Sequence, residues 1–590
     1  MNLDTKNQQS IVSYSDFTGG LNTTTVPEMI APNQMADCIN MEFDRTTGAL
    51  QTCCGTATVF QCPDDITIDK LWYDEINNMF LFTDANTKSI YASRLVDMAG
   101  THPYDREKVG SLSGEMPPTA VMWENGLLIA SGGRLQYWDG LELVNIAINV
   151  IDDMNNSGSW EKIGTKVAKK EWKTKNKYEA GNRVMYEGKF YCCLEEHVSG
   201  EFDETKWQVL NSRVFAAETD YDKWDYVKHG KYFYLCTQKH TSIADAPAVC
   251  NGVFIKGGRV WIWHDYRLEC SGVGDERCWW DDSNDDSTAK WIDVGYKEGE
   301  KEKSYIAGAC ALSSDIVIIK NDGKVYRLAG DFPDWALKEI ARNLTLLNPQ
   351  CYCAIQDGVF IVGREGMWLL HTTVDYGDVQ PTNVANSIMG LLGTLSIEKT
   401  YIKFLPSLNQ IWVAGFKNRF IVFDLNFKAF IQREFNSEVN DICLYKEYFM
   451  LSRKHRVTEL MQGIFEDEKY SEDESKMRWK IVAKSHTSFW DFLLKRMRMT
   501  YVPLLDKFKE ATLITAEGRI RIDIPESKKK ADPIFGSPTL IYGWEAPIFP
   551  INTQFITKWM VYRNRIFGIE LKGEGSAVMI NRIDSAIAEV

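Results

Sequence analysis

The 590-residue sequence lacks the motifs that mark several classes of enzyme and membrane protein. It has only 8 His, no nucleophile elbow, no phosphate-binding glycine loop and no HExxH motif, so nothing in it indicates an enzyme. No stretch approaches 18 consecutive apolar residues, so no membrane-spanning helix is expected. The first ten residues are polar and contain no apolar segment, so we expect no secretory signal.

Basic residues are outnumbered by acidic ones. Lys and Arg total 67 and Asp and Glu total 81, which gives a net charge of −14. This balance argues against a surface that grips nucleic acid by neutralising phosphates, but it allows nucleic acid to slide past. Apolar residues make up 44% and charged residues 25%, which predicts a globular protein. The length fits about four domains at roughly 150 residues each.

The 14 cysteines are scattered along the chain, whereas a small secreted disulfide scaffold is much denser in Cys. We therefore predict reduced and mostly buried thiols in a protein that folds in a cytoplasm.

A strand–turn–strand pattern recurs between residues 70 and 460, in about seven units that are mostly about 40 to 60 residues apart. Turn sequences such as Glu124-Asn125-Gly126 separate short runs rich in aromatic residues. Such a period, with three or four strands per unit, is typical of a β-propeller, although an array of β-sandwiches would also give short, regularly spaced strands. We predict a mainly β chain with a divergent β-propeller core over residues 61–154 and 251–465, preceded by an N-terminal segment, residues 1–60, that is tied into it.

Residues 155–250 interrupt the repeat and form a predicted insertion of two small β-modules in tandem. A series of Tyr, Gly, Lys, Tyr and Cys ends at His197, and a degenerate second copy ends at His240. Four aromatic residues of the first copy could form an exposed platform for stacking on sugar rings, or they could be the core of a module with little else to bury. These residues are Trp172, Tyr186, Tyr191 and Trp207.

Two groups of residues resemble metal ligands, but in each case a structural role is favoured. Cys193 with His197, and Cys236 with His240, offer the ligand types of zinc, yet duplication of the module explains their spacing. The acidic run 281–287 offers oxygen ligands for calcium but lacks the Gly and the distal Glu of an EF-hand loop, so we predict an exposed acidic turn. No metal and no cofactor are predicted.

The C-terminal part has a different texture. Residues 466–476 are an acidic, Ser-containing run, predicted to be a solvated loop. Residues 477–590 contain more strand patterns and are predicted to form a β-rich domain. Residues 488–497 are the one helical candidate of any length, and the pattern there is weak.

Two stretches resemble the tail nozzle proteins of short-tailed bacteriophages, the tail tubular protein B family. The first begins with a motif at residues 17–22 and continues through Pro27, Asn40 and Gly55. The second follows the strand motifs from residue 257 to residue 368, and the final strands around residue 565 resemble that family's last β-domain. The resemblance spans most of the chain except the insertion. It rests on the order in which these motifs follow one another along the sequence. The family-like motif consists of Phe17, Gly19, Gly20, Leu21 and Asn22.

The resemblance implies a structural, non-enzymatic virion protein, made and assembled in the host bacterial cytoplasm. It implies six copies in a ring below the tail adaptor protein, continuing the tube through which viral DNA leaves the capsid without specific binding. Tail fibres or other tail proteins would be further partners. An acidic channel would repel DNA and let it slide, which agrees with the net charge.

The insertion also resembles small chitin-binding-type carbohydrate modules, because a trailing His, Phe202 and Trp207 follow its Tyr series. This suggests an alternative function: a propeller-type lectin or receptor-binding tail protein that recognises cell-surface glycans. A third hypothesis, a propeller glycosidase with paired carboxylates, is supported only by the abundance of Asp and Glu.

Overall fold

The computed structural model divides into two compact units, each described here by itself. Unit 1 comprises Met1–Leu112, Ser304–Gly330 and Trp335–Val590, and unit 2 comprises Ser113–Lys303 and Asp331–Asp334. The residues that the structure describes are 9–94, 106–295, 304–312, 315–356, 358–372, 379–416, 418–461, 465, 467, 477–505, 510–515, 518–523, 554–574 and 577–589.

Unit 1 begins with six short strands, the first of which pairs with the last strand of the chain. Their bounds are β1 Gln9–Tyr14, β2 Gly20–Leu21, β3 Gln34–Ile39, β4 Met41–Phe43, β5 Leu50–Thr52 and β6 Gly55–Gln61. The first four-stranded antiparallel sheet follows, formed by β7 Ile68–Asp74, β8 Met79–Asp84, β9 Ser89–Arg94 and β10 Arg106–Ser111. Its turns are closed by aspartates: the side chain of Asp74 accepts from the amides of Ile76 and Asn77.

Unit 2 contains two four-stranded meanders and the insertion between them. The first consists of β11 Thr119–Trp123, β12 Gly126–Ala130, β13 Gln136–Trp138 and β14 Leu143–Asn145. The turn predicted at Glu124-Asn125-Gly126 is present, because Trp123 pairs with Gly126 and Glu124 has a φ of 45°. Helix α1, Val150–Ser157, follows and is capped by Asn149, whose side chain accepts from the amides of Ile151 and Asp152.

The insertion contains twelve described strands in two modules. Module 1, residues 170–209, consists of β16 to β21. Module 2 consists of β15 and residues 211–242, that is, β22 to β26. The bounds are β15 Trp160–Gly164, β16 Lys170–Glu171, β17 Lys177–Tyr178, β18 Arg183–Tyr186, β19 Lys189–Cys193, β20 His197–Val198, β21 Trp207–Val209, β22 Asn211–Ser212, β23 Asp220–Tyr221, β24 Asp225–His229, β25 Tyr232–Cys236 and β26 His240–Thr241.

The second meander of unit 2 is formed by β27 Gly252–Lys256, β28 Arg259–His264, β29 Arg267–Cys270 and β30 Lys290–Asp293. Unit 1 resumes with two more four-stranded sheets. The first is β31 Ile306–Leu312, β32 Asp315–Lys320, β33 Val325–Ala329 and β34 Ala336–Ala341, and the second is β35 Tyr352–Ile355, β36 Gly358–Val362, β37 Met367–Thr372 and β38 Val379–Asn383.

A short helix, α2 Met389–Leu392, leads to the sixth and seventh meanders. The sixth is β39 Ile402–Leu405, β40 Gln410–Phe416, β41 Arg419–Asp424 and β42 Ala429–Glu434; the seventh has β43 Asp441–Tyr445, β44 Tyr448–Arg453 and β45 Arg456–Met461. The N-terminal strand β6 pairs with β45 and completes the seventh sheet. Among the described residues, unit 1 has five four-stranded meanders and unit 2 has two. This repeat of four-stranded meanders is that of a β-propeller, as the sequence period predicts.

The C-terminal part of unit 1 is β-structure. Its strands are β46 Arg478–Ala483, β47 His486–Leu505, β48 Glu510–Thr515, β49 Gly518–Asp523, β50 Gln554–Glu574 and β51 Ala577–Glu589. The helix predicted at 488–497 is wrong, because those residues lie inside β47, which pairs with β50 on one side and β51 on the other. Leu494, Met497 and Met499 are buried, which is the spacing of a strand with a bulge.

One continuous sheet joins the sixth meander to this C-terminal part. Its strand order runs β42, β3, β46, β50, β47 and β51, so the N-terminal strand β3 lies between the two. The largest apolar core of unit 1 lies along this sheet and includes Leu21, Trp412 and Trp479, which are at most 1% exposed. The N-terminal strands therefore lie where the sixth meander meets the C-terminal sheet. We call this region, around β42, β3 and β46, the joint.

Two further sequence predictions, on the acidic run and on the cysteines, can be compared with the structure. Asp467, in the acidic run 466–476 that was expected to be solvated, is 3% exposed and forms an ion pair with Arg453. Residues 466 and 468–476 of that run lie outside the described part. All 14 cysteines are free thiols, and 11 of them are buried. In the described ranges, no helix is long and apolar enough to cross a membrane.

Candidate functional site

Module 1 brings the four predicted aromatic residues into one cluster. Trp172 contacts Tyr186 edge to face, with ring centroids 5.1 Å apart. Trp207 packs against Tyr178 at 5.0 Å, and Tyr191 belongs to the same apolar cluster. Tyr191 and Trp207 are 6% and 4% exposed, so they form the core of the module and offer no face to a ligand.

Trp172 and Tyr186 are half-buried and remain at the surface with a third ring, Phe202. Phe202 stacks on Tyr186 with ring centroids 4.0 Å apart and lies 5.5 Å from Trp172. The solvent-facing set is thus Trp172, Tyr186 and Phe202, which is narrower than the predicted platform and differs from it by Phe202. Flat, half-exposed rings of this kind can stack on the apolar face of a sugar ring or on another aromatic group. Sugar binding at this cluster stays a prediction.

A tight hairpin positions these rings. Strands β18 and β19 are joined by Glu187 and Gly188, whose φ angles of 46° and 77° are those of a turn that suits twisted strands. Tyr186 therefore stands at the end of β18, directly opposite Lys189. Trp207 begins β21, which pairs with β19 so that Trp207 lies opposite Cys193.

Module 2 repeats module 1 at an offset of 43 residues. Tyr178, Tyr191 and His197 correspond to Tyr221, Tyr234 and His240. The phenol of Tyr178 accepts from the amide of Lys173 at 2.7 Å, and that of Tyr221 accepts from the amide of Ala216 at 2.7 Å. The two modules therefore share one scaffold, held by the same Tyr hydrogen bond.

The strand that completes module 2 comes from outside the repeat. In module 1, Trp207 on β21 pairs with Cys193; in module 2, Trp160 on β15 pairs with the equivalent Cys236. Trp160 packs on Tyr221 at 5.0 Å, as Trp207 packs on Tyr178 at 5.0 Å. Because β15 precedes module 1 in the chain, module 1 is nested within module 2.

Helix α1 packs on module 2. Val150 is fully buried in the module 2 core, with Ile151 and Met154 packed against it. The carboxylate of Asp153 accepts from Trp160 Nε1 at 2.5 Å and lies 2.8 Å from His240 Nε2. Phe215, at the module 2 position equivalent to Trp172, is half-buried as well and packs on Trp160 and Tyr221.

The Cys and His of each module contact each other within the turn that the two modules have in common. Sγ of Cys193 lies 3.5 Å from Nδ1 of His197 and 3.0 Å from the carbonyl oxygen of Glu195. Cys236 has the equivalent arrangement with His240, at 3.6 Å. Burial raises the pKa of Cys236 to about 11, so its thiol is protonated at neutral pH. Among the described residues, no group of three or more potential metal ligands is found.

The acidic turn, residues 281–287, is exposed, as predicted. Its oxygen atoms, however, surround the ammonium group of a nearby buried lysine, Lys290. The side chain of Lys290 is 3% exposed, and its ammonium forms an ion pair with Asp281. The same ammonium donates to the carbonyl oxygens of Asp282 and Asp285, at 2.9 and 3.2 Å, and to Thr288 Oγ1 at 3.2 Å. A lysine thus stands among oxygen atoms of the kind that calcium takes as ligands. In the sequence, the feature that could have indicated this arrangement is a single Lys next to Trp291.

The family-like motif is buried at the joint in unit 1. Phe17 and Leu21 are 1% and 0% exposed, and Asn22 donates to Gln34 Oε1 at 2.8 Å. Gly20 has a φ of 66°, and a Cβ there would lie 2.7 Å from the Cβ of Ala429 on β42. A Cβ at Gly19 would lie 2.7 Å from Asn33 Oδ1. Both glycines are therefore required by close packing, and Gly20 by its backbone conformation as well.

Asn40 connects three parts of the same joint. Its side-chain oxygen accepts from the amide of Glu434 on β42 at 2.7 Å, and its side-chain nitrogen donates to the carbonyl of Arg478 on β46 at 2.7 Å. Its own carbonyl accepts from the amide of Cys53 at 3.0 Å. Asn40 has a φ of 54°, a conformation that Asn tolerates better than most residues.

The comparisons with known proteins return likenesses of architecture alone. No family model matches the sequence, and no curated protein matches it. The N-terminal domain of Nup159 is 6% identical over 72% of this chain and 99% of its own, with a TM-score of 0.34. BamB from Moraxella catarrhalis is 9% identical over 70% of this chain and 97% of its own, at 0.33, and the WD40 β-propeller domain of Doa1 is 9% identical over 69% and 97%, at 0.31. The fold assignment rests on the strand pairing itself.

Proposed function

We propose that this chain is a structural protein of the distal tail tube, or nozzle, of a short-tailed bacteriophage. The observation that supports this most is the place of the family-like motif. The residues by which the sequence resembles nozzle proteins, from Phe17 to Asn22 and Asn40, are those that connect the sixth meander to the C-terminal sheet. The resemblance thus falls on residues with a specific structural task.

In this proposal the protein is not an enzyme and contributes no cofactor chemistry. Copies of the chain form a ring attached to the tail adaptor, and viral DNA passes along it. A net charge of −14 favours this, because a wall that repels phosphates lets the duplex slide. The closed meanders supply a rigid block with short strand edges, which resists unwanted strand addition.

Localisation tests the proposal. Virions purified from the source lysate are labelled with an antibody to this chain and imaged by electron microscopy, with an antibody to the capsid protein as the positive control. We expect label at the distal end of a short tail. Virions that carry capsid label but no label for this chain, with the protein free in the lysate, would overturn the assignment.

A second candidate function, glycan recognition at the host surface, is favoured by one observation: Trp172, Tyr186 and Phe202 are in mutual contact in module 1 and are each half-buried. Binding to a panel of glycans that includes chitin oligosaccharides tests it, with the full chain immobilised. We expect Tyr186→Ala to abolish binding. His229→Ala is the matched control, because residue 229 takes the same position in module 2, and binding should survive it. Binding that survives Tyr186→Ala and Trp172→Ala together would exclude this site.

A further inference from the structure

A run of lysines borders the aromatic cluster of module 1. Residues 162–177 contain seven Lys and one acidic residue, Glu171, so the net charge of this segment is 7 − 1 = +6 in a chain of −14. All seven lysines are exposed. Lys177 forms an ion pair with Glu196 at 2.5 Å, and within the described part of the chain no other lysine of the segment has an ion-pair partner. The segment therefore carries positive charge that is not neutralised by direct ion pairs.

The strand register places two lysines on the same face as the aromatic rings. Lys170 on β16 pairs with Val184 on β18, whose side chain is 2% exposed in the core of the module. Paired residues of neighbouring strands share a face, and so do alternate residues of one strand. Lys170 therefore lies on the face that also carries Trp172 and Tyr186. Lys189 on β19 pairs directly with Tyr186 and belongs to this face as well.

The rings lie between the two lysines. The amide of Trp172 donates to the carbonyl oxygen of Met185 at 2.9 Å, which brings Trp172 level with Tyr186. A row across the sheet thus runs from Trp172 through Tyr186 to Lys189, and Lys170 stands two residues along the strand from Trp172. The two lysine positions are separated by two strand spacings, about 10 Å, across the sheet and by about 7 Å along it.

Module 2 shows what becomes of such a cation when it serves the fold. Arg213 takes the position of Lys170 at the offset of 43 residues, and its Nη1 lies 3.0 Å from Oδ2 of Asp225. Module 1 has Asn182 in place of that aspartate. Module 1 thus keeps the cation and lacks the internal carboxylate, so the charge of Lys170 is available to solvent.

Carboxylates also stand near the rings, and they limit the kind of anion that fits. Glu171 points to the opposite face of the sheet, because it pairs with Met185. Glu187 follows Tyr186 in the hairpin turn; partial burial and this carboxylate raise the pKa of the Tyr186 phenol, which is therefore neutral and able to donate a hydrogen bond. Glu201 is exposed next to the third ring. The rim of the cluster thus carries charges of both signs.

We propose that the aromatic cluster of module 1, together with Lys170 and Lys189, binds an acidic saccharide whose pyranose rings carry carboxylates. The apolar face of a pyranose stacks on Trp172 and Tyr186, and the ammonium groups on either side donate charge-assisted hydrogen bonds to its carboxylates. This inference rests on the second candidate function, glycan recognition at the same cluster, and names the class of glycan.

Nucleic acid is the less favoured ligand of this face. Its bases stack on aromatic rings too, but it carries a phosphate at every nucleotide, and such an anion meets Glu187 and Glu201 as well as the lysines. The net charge of −14 adds a general repulsion. A saccharide with one carboxylate per ring places its charge at intervals and presents apolar ring faces between them, which suits a rim of mixed charge.

Binding of matched acidic and neutral saccharides to the immobilised full chain tests the inference. The acidic probes are oligosaccharides of galacturonic acid, of mannuronic acid and of N-acetylneuraminic acid. Their methyl esters keep the rings and lose the charge, and chitin oligosaccharides are a further neutral probe. At about 0.1 M NaCl we expect at least one acidic probe to bind about tenfold more tightly than its ester. The difference should disappear at about 1 M NaCl, where the Debye length falls from about 10 Å to about 3 Å.

The double variant Lys170→Gln/Lys189→Gln should lower the affinity for the acidic probe about tenfold, to that of the ester, and leave the affinity for the ester unchanged. The control Lys228→Gln/Lys239→Gln makes the same change in net charge at two exposed lysines of module 2, and it should bind like the wild type. Unfolding midpoints of both variants are compared with the wild type, so that only folded proteins are scored.

The outcomes separate this inference from the functions on which the chain was assigned. Equal affinities for acidic probes and esters, all lost in Tyr186→Ala, would overturn the inference and leave glycan recognition standing, as would a preference for the acidic probe that persists in the folded lysine variant. Failure of every saccharide to bind would remove both. If no saccharide binds but a fluorescent single-stranded oligonucleotide does, and the lysine variant loses it, the face belongs to nucleic acid. None of these results bears on localisation in a virion.

Discussion

Nη2 of Arg453 lies 2.7 Å from Oδ1 of Asp467, and neither side chain is more than 3% exposed. The same carboxylate accepts from Thr56 Oγ1 at 2.5 Å and from the amide of Asn436 at 2.5 Å. Thr56 lies on the N-terminal strand β6 and Arg453 on β44, so one carboxylate connects the strand that completes the seventh meander to that meander. The guanidinium of Arg453 also lies over the ring of Phe435, at 4.8 Å.

Replacement of Asp467 by Ala should destabilise the protein by about 3–5 kcal/mol, because Arg453 is then a buried charge without its partner. Chemical denaturation at neutral pH, followed by tryptophan fluorescence, measures the change. Glu438→Ala is the control: its ion pair with Lys399 is solvent-exposed, with side chains 44% and 63% exposed, and should contribute at most about 1 kcal/mol. Equal losses in the two variants would show that the burial of the first pair has no energetic consequence.

The same pair predicts a dependence on pH. Burial alone would raise the pKa of Asp467, but the charge of Arg453 and the hydrogen bonds from Arg453, Asn436 and Thr56 hold it below its ordinary value. A carboxyl whose folded pKa is lowered contributes stability that is present above its unfolded pKa of about 3.9 and is lost as the pH falls through the folded pKa. Between pH 5 and pH 3 the wild type should therefore lose more stability than Asp467→Asn, and denaturation midpoints at both pH values measure this. Parallel losses would contradict it.

Lys290→Met should loosen the acidic turn, residues 281–287. The variant removes the hydrogen bonds from the ammonium to the carbonyl oxygens of Asp282 and Asp285 and leaves Asp281 without its counter-charge, at a cost of about 1–3 kcal/mol. Limited proteolysis should cut the variant within this turn faster than the wild type, whereas Lys239→Met, at a side chain that is 73% exposed, should behave like the wild type. Because an ammonium occupies the place among the oxygens, EDTA should leave the wild-type unfolding midpoint unchanged. A midpoint that falls on chelation would show that a metal stabilises the protein.

Local patterns predicted the meanders, because each hairpin is encoded by alternating residues and a turn within about 20 residues. Glu124-Asn125-Gly126 is such a case, since the turn and both flanking strands are contiguous in sequence. Pairings over long separations could not be predicted in this way. Trp160 pairs with Cys236, and no local pattern connects two residues on either side of module 1. The strand β47 was mistaken for a helix because its bulge shifts the buried positions from alternate spacing to the pair Leu494 and Met497.

The candidate site was predicted by residue type and corrected by burial. An aromatic residue in a short sequence has the same signature whether it lies in the core or at the surface, so Tyr191 and Trp207 were grouped with Trp172 and Tyr186. The structure separates them, because a module of about 45 residues needs large side chains for its core. The partnership of Lys290 with the acidic turn was missed for a related reason: a Lys side chain gives no sign in the sequence of whether its ammonium lies inside or outside.

Gly20→Ala should destabilise the joint more than Gly181→Ala does. Both glycines have a positive φ, of 66° and 85°, so both substitutions pay the strain of a left-handed backbone, about 1–2 kcal/mol. At Gly181 nothing lies within 4 Å of the new Cβ, whereas at Gly20 the new Cβ would meet Ala429 Cβ at 2.7 Å and backbone atoms of Phe430 within 2.9 Å. Denaturation midpoints of the two variants separate packing from strain, and equal midpoints would show that β2 can move away from β42.

Trp160→Ala should loosen module 2, although module 1 begins nearer to Trp160 in the sequence. Trp207→Ala should loosen module 1. Trp160 is 5% exposed and packs on Tyr221 in module 2, although it lies closer in sequence to the start of module 1. Loss of a buried tryptophan removes about 3–5 kcal/mol of packing, so hydrogen exchange in Trp160→Ala should accelerate over residues 219–242 and stay unchanged over residues 176–199. Trp207→Ala should give the opposite pattern. Faster exchange in module 1 of Trp160→Ala would mean that β15 pairs with its neighbour in sequence and that the modules follow one another without nesting.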